Sequence, residues 1–146
     1  MASILVVDDE PNIRRMLSRV LDEEGHRTRV AAGGAEALAL VEADEPDVVL
    51  LDLSMPGMDG LEVLEALRQR APTLPVVMIS GQATLGDAVR ATKLGAFHFI
   101  EKPLNPEAVL LTVHGAVELR RARELSRKLA AELGAGEQLV GSSAAM

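Results

Sequence analysis

The chain has 146 residues, a formal net charge of −7 and no cysteine. That length holds one domain with some chain to spare, and the missing thiols exclude disulfides, thiolate metal sites and cysteine nucleophiles. The acidic balance argues against a nucleic-acid-binding surface, and the lack of a secretory signal or of a roughly 20-residue apolar run points to a soluble cytoplasmic protein.

Ile4–Val7 opens the chain with a continuous branched run, as in parallel strands buried on both faces. In the next segment Ile13, Met16, Leu17, Val20 and Leu21 recur at the spacing of one helix face. Pro11 suits its first turn, and Gly25 suits the position just past its end. Arg27–Ala31 alternates and reads as a half-exposed edge strand, and Ala35 to Val41 as a short helix. Val48–Leu51 is a second continuous run, followed by a helix over Leu61 to Leu67 with Asp59 as its N-cap. Val76–Ile79 is the third, followed by a helix over Leu85 to Leu94 with Thr84 as N-cap and Gly95 as its stop. Phe97–Ile100 is broken by His98 and suits the other sheet edge. Asn105 and Pro106 open a last helix whose core face carries Val109, Leu110, Val113, Ala116 and Val117.

Strand and helix thus alternate five times, which predicts an α/β fold: a doubly wound, five-stranded parallel sheet with five helices. The last helix continues past the domain to Leu133, with Gly134 and Gly136 ending it. Ala122, Leu125, Leu129 and Leu133 form a narrow apolar stripe there, which suits a dimerising or domain-connecting helix. Residues 1–120 are read as the domain, 121–136 as a helical linker extension and 137–146 as a tail. The locally basic stretch from Glu118 to Lys128 reads as a solvated helix face. His26, His98 and His114 fit no metal-ligand spacing and are read as structural or surface residues.

Ligand sites of doubly wound sheets lie at the carboxyl ends of the strands. There the sequence places Asp8, Asp9 and Glu10 after the first strand and Asp52 after the third. Ser80 and Gly81 follow the fourth, and Lys102 and Pro103 the fifth. Carboxylates about 5 Å apart repel by roughly 3 kcal/mol per pair at an effective dielectric near 20, so a bare acidic cluster is a poor structural device. Mg²⁺ would relieve it, since that ion takes oxygen ligands. Helix capping explains one acid before a helix, but two adjacent acids after a strand fit capping less well. A carboxylate, a divalent cation, an ammonium and a hydroxyl facing one point suit phosphoryl transfer, with Asp52 as nucleophile.

The segments VVDDE at 6–10, LLDLSMPGMDG at 50–60, ISG at 79–81 and EKP at 101–103 resemble the receiver domains of two-component response regulators over about residues 3 to 120. The resemblance implies a flavodoxin-like sheet of order 2-1-3-4-5 and phosphorylation of Asp52 by a histidine kinase. Phosphotransfer and dephosphorylation would be self-catalysed, without enzymatic turnover of another substrate. It implies Asp9 as a direct Mg²⁺ ligand with Asp52, Asp8 acting through water, and the Ser54 backbone carbonyl completing the protein ligands. Lys102 would contact the phosphoryl group, and its bond to Pro103 would be cis. Ser80 would move toward the phosphate and the Phe99 ring turn inward, without the phenolic hydroxyl of a tyrosine. That motion would alter the face of the fourth helix, fifth strand and fifth helix, through which a homodimer is expected. Ser54 and Gln82 flank the site and bear on the hydrolysis rate, in a direction left open.

The tail from Gln138 to Met146 is similar to the opening of the ATPase module of σ54-dependent (NtrC-type) activators, which would make the chain the regulatory part of a longer transcription factor. The chain holds no Walker-type phosphate loop of its own. The alternative is a Mg²⁺-dependent phosphohydrolase with an aspartyl-phosphate intermediate. It lacks an acid–base group beside the nucleophile, because Leu53, Ser54 and Met55 offer none. A flavin carrier would want aromatics and a phosphate loop where Asp8, Asp9 and Glu10 stand. A purely structural dimerisation domain leaves the acidic, hydroxyl and lysine positions unexplained.

Overall fold

A computed structural model describes residues 1–136; the tail at 137–146 lies outside the described residues. Strands β1 (Ser3–Val7), β2 (Arg27–Ala31), β3 (Val48–Asp52), β4 (Val76–Ser80) and β5 (His98–Glu101) form one parallel sheet of order β2-β1-β3-β4-β5. Helices α1 (Pro11–Glu23), α2 (Gly34–Ala43), α3 (Gly60–Arg70), α4 (Leu85–Lys93) and α5 (Pro106–Gly136) connect and cover it. Strand order reverses between β1 and β3, so their carboxyl ends lie side by side at the switch point.

Alternation along each strand divides the core into two layers. Leu5, Val7, Val49, Leu51 and Met78 face α2, α3 and α4, where Ala37, Leu64, Leu67 and Ala91 meet them. Ile4, Val6, Leu50, Val77 and Ile79 face α1 and α5, where Leu17, Leu21, Val109 and Val113 close the other side. Burial on both faces covers β3 and β4 along their length and explains the continuous apolar runs Val48–Leu51 and Val76–Ile79. As expected, β2 and β5 are the partly exposed edges.

Local signals act where the sequence places them. Asp59 and Thr84 each accept a hydrogen bond from the backbone N–H three residues on, and the Glu62 and Asp87 carboxylates accept the N–H groups of Asp59 and Thr84, completing two capping boxes. The Asn105 side chain accepts from the N–H groups of Glu107 and Ala108 at the start of α5. Gly25 and Gly95 terminate α1 and α4 with φ of +88° and +95°, where a side chain would be strained.

Two boundaries differ from expectation. β5 begins at His98 rather than Phe97, and α5 passes through Gly134, the first of the two glycines expected to end it, before reaching Gly136, the end of the 121–136 extension. An isolated glycine costs a helix about 1 kcal/mol, a penalty that neighbouring strong helix formers offset. At and past residue 120 the helix still touches the rest of the domain: Arg120 pairs with Glu45 at 2.5 Å, and Thr73 donates to the Glu124 carboxylate. Arg121 and Arg127 pair with Glu118 and Glu124 on the same helix, which offsets part of the charge of the basic stretch. Leu125, Leu129 and Leu133 remain exposed. No helix among the described residues is long and apolar enough to cross a membrane.

Candidate phosphoryl-acceptor site

Each acidic residue of the site is set by the strand before it. Asp8 follows β1 directly, and its Oδ1 accepts the backbone N–H of Glu10 at 2.9 Å, shaping the turn into α1. Its other oxygen, Oδ2, is buried and accepts no hydrogen bond among the described residues, although the Lys102 ammonium lies 3.2 Å away. The capping explanation therefore accounts for one oxygen of Asp8 and leaves the second aimed at the site. Asp9 is exposed, and Asp52, the last residue of β3, is 3% exposed. One carboxylate oxygen from each of Asp8, Asp9 and Asp52 lies within 4.8 Å of the others.

Lys102 comes from the far end of β5. Its backbone N–H donates to the Ser80 carbonyl at 2.8 Å, and the bond to Pro103 is cis. Its ammonium sits 2.9 Å from Glu10 Oε1, 3.2 Å from Asp8 Oδ2 and 3.8 Å from Asp52 Oδ1. Burial by itself would lower the Lys102 pKa, but Glu10, Asp52 and Asp8 together hold it above its ordinary value. Asp52 goes the other way. Burial and the neighbouring Asp8 charge push its carboxyl up to about 6, against the opposing pull of Lys102.

The Ser80 side chain is buried, and its Oγ accepts the backbone N–H of Gln82 at 3.2 Å, which anchors the turn after β4. The Ser54 N–H donates to Asp52 Oδ1 at 3.4 Å. Phe99 is half-buried and packs against the core layer under α4. The histidines stand apart from the cluster: the His26 Nδ1 accepts the Ala2 N–H, and His98 and His114 are exposed.

Asp8, Asp9, Asp52 and Lys102 thus converge as the motif spacing predicts. Two contributions carried no separate signal in the sequence. Glu10 is the nearest carboxylate to Lys102. Gly60, the first residue of α3, packs so closely that an added Cβ would lie 2.4 Å from the Asp52 carbonyl oxygen and 2.7 Å from the Leu53 Cα. Its position inside LLDLSMPGMDG was the available clue, because a glycine between an N-cap and a helix invites a close-packing reason.

The donor set suits a hard divalent cation: three carboxylates at one point, one of them bearing a buried oxygen without a hydrogen bond. The arrangement also has a nucleophile and a nearby ammonium at the carboxyl edge of the sheet, which suits phosphoryl transfer to a carboxylate.

Similarity to known proteins places the chain in a family. The family model described as "Response regulator receiver domain" matches residues 4–114. The nitrogen assimilation regulatory protein NtrX of Azorhizobium caulinodans is 41% identical over 128 residues, which cover 86% of this chain and 28% of that protein. The crystal structure of NtrX from Brucella abortus superposes with a TM-score of 0.82 at 40% identity, covering 88% of this chain and 29% of that one. The isolated receiver domain of the same Brucella protein gives a TM-score of 0.75 at 43% identity, covering 79% of this chain and 98% of that one. The present chain therefore spans less than a third of these full-length relatives and covers 98% of the isolated Brucella receiver domain. With the fold, the motif positions and the family model in agreement, the chain belongs to the response regulator receiver domains.

Proposed function

We propose that Asp52 is the phosphoacceptor, taking a phosphoryl group from a phosphohistidine of a partner kinase. An Asp52 carboxylate oxygen attacks phosphorus, the P–O bond of an acyl phosphate forms, and the P–N bond to the imidazole breaks with its electron pair leaving on nitrogen. The observation that supports this most is the convergence of Asp8, Asp9 and Asp52 on one point with Lys102 beside it.

Asp9, Asp52 and the Ser54 backbone carbonyl would hold Mg²⁺ directly, with Asp8 acting through water. When bound, the ion supplies positive charge that keeps Asp52 ionised and offsets the charge of the phosphoryl oxygens. Lys102 then contacts the phosphoryl group. Ser80 exchanges its bond from Gln82 for one to the phosphate, and Phe99 turns further into the space beneath α4. Phe99 has no hydroxyl, so packing alone favours the inward rotamer. The outcome is a population shift at the α4-β5-α5 face, where Leu85 and Leu111 stand exposed. Homodimerisation there, or through the stripe at Leu125, Leu129 and Leu133, transmits the state to an output domain. Residues 1–120 form the receiver, 121–136 the linker extension, and 137–146 the start of a σ54-type ATPase module that controls transcription. A cytoplasmic setting and the absence of turnover on other substrates belong to the same reading.

The test is incubation with acetyl phosphate and Mg²⁺, read by intact mass and by sizing. The expected result is one phosphoryl group per chain, lost in EDTA and in Asp52→Asn. Full phosphorylation of Asp52→Asn would overturn the assignment.

A further inference from the structure

We propose that Glu10 is a positioning residue: it holds the Lys102 ammonium away from Asp52 in the unphosphorylated protein and so sets how readily the site accepts a phosphoryl donor. The inference rests on the assignment of Asp52 as phosphoacceptor and adds a brake on that step.

The distances carry the argument. The ammonium lies 2.9 Å from Glu10 and 3.2 Å from Asp8 Oδ2 but 3.8 Å from Asp52. Glu10 thus makes its shortest contact, while the residue beside which the phosphoryl group must arrive lies beyond hydrogen-bond reach. The start of the stem is anchored, because the backbone N–H of Lys102 donates to the Ser80 carbonyl, and the Lys102 Cδ runs 3.7 Å from where a Cβ on Gly81 would stand. The head can swing, and bringing it to a phosphoryl oxygen on Asp52 draws it from Glu10. The lysine side chain is 18% exposed whereas that of Glu10 is 58% exposed, so the released carboxylate returns to water while Lys102 stays in the site. Glu10 also occupies the N-cap of α1 without capping it through its side chain, and negative charge is favourable at a helix N-terminus. The contact to Lys102 is therefore the one specific bond its carboxylate makes among the described residues. Exposed pairs of this kind are weak, so the brake is light: its removal changes a rate by about two- to five-fold.

Two substitutions separate this from simple charge repulsion of an anionic donor. Glu10→Gln removes the charge at unchanged length, whereas Glu10→Asp keeps the charge and withdraws it by one methylene, out of reach of the ammonium. Phosphorylation of the full chain by acetyl phosphate with Mg²⁺ is followed by intact mass, and the Lys102 ammonium is followed by ¹⁵N NMR in metal-free protein. The expected result is a rise of about two- to five-fold in initial rate for both variants, with a displaced Lys102 signal and faster exchange of its protons. A faster Glu10→Gln beside a Glu10→Asp that matches wild type in rate and Lys102 signal would overturn the proposal in favour of repulsion. Unchanged rates in both would overturn it outright. Failure of the wild type to gain phosphate would strike the Asp52 assignment instead, and the Lys102 signal would then decide the Glu10 contact alone.

Discussion

At the carboxyl ends of the strands, Asp8, Asp9 and Asp52 crowd together and one buried oxygen goes without a hydrogen bond. At the amino ends, acids of the same kind meet donors. Asp47 accepts the Ser3 N–H at 2.8 Å, Glu45 takes Arg120, and Glu124 takes the Thr73 hydroxyl, while Arg29 satisfies the Asp44 carbonyl. The amino-end edge is arranged to hold the chain together. Its opposite gathers Asp8, Asp9, Glu10 and Asp52 around the one ammonium of Lys102. That excess of negative charge disfavours folding in the free protein and becomes favourable once a cation shares the site. The lesson is that charge count alone does not separate a functional edge from a structural one; satisfaction of the charges does.

The largest expected effect lies at the acidic edge. Asp52→Asn abolishes the Mg²⁺-dependent gain of phosphate, seen by intact mass, whereas loss of any amino-end pair leaves that gain in place.

Gly60→Ala comes next, because its Cβ would press on the Asp52 and Leu53 backbone, which cannot swing aside as a side chain could. A loss of about 3 kcal/mol in urea unfolding is expected, with no compensating contact.

A third comparison concerns pH. In metal-free protein the folded Asp52 titrates at about 6, above its ordinary value of 3.8. The folded state thus binds the extra proton, and this contribution to stability is present below about pH 4 and lost as pH rises through 6. Asp52→Asn removes the penalty, so at pH 7 the variant should be more stable than wild type by roughly 2–3 kcal/mol. The gap should shrink toward pH 4 or on adding Mg²⁺. Parallel melting curves of the two proteins check it, and equal stability at pH 7 would show that the carboxylates do not strain the fold.

The smallest effect belongs to the amino-end edge. Arg120→Ala should cost roughly 0.5–1 kcal/mol, less at high salt, because its partner Glu45 is partly solvated.

Much of the site was legible because its residues sit next to strong local signals. Asp8 and Asp9 follow a four-residue apolar run, Asp52 ends another, and Asp59 and Thr84 announce the helices that begin beyond the site. Glu10 was visible as one more acid, but its choice of Lys102 was not, since 92 residues separate the two. The same holds for Thr73 and Glu124, which are 51 residues apart. The continuation of α5 through Gly134 escaped a reading based on local propensity, because a glycine's cost is spread over a long run of strong helix formers.

The sequence by itself determined the order of strands and helices, the residues available for chemistry and their place at strand ends, because period, caps and breakers act over a few residues. Only the tertiary structure decided which carboxylate Lys102 favours, how closely Gly60 lets α3 approach Asp52, and which charges go unmet. Those depend on distances of a few tenths of an ångström between segments whose separation along the chain carries no information about how they meet.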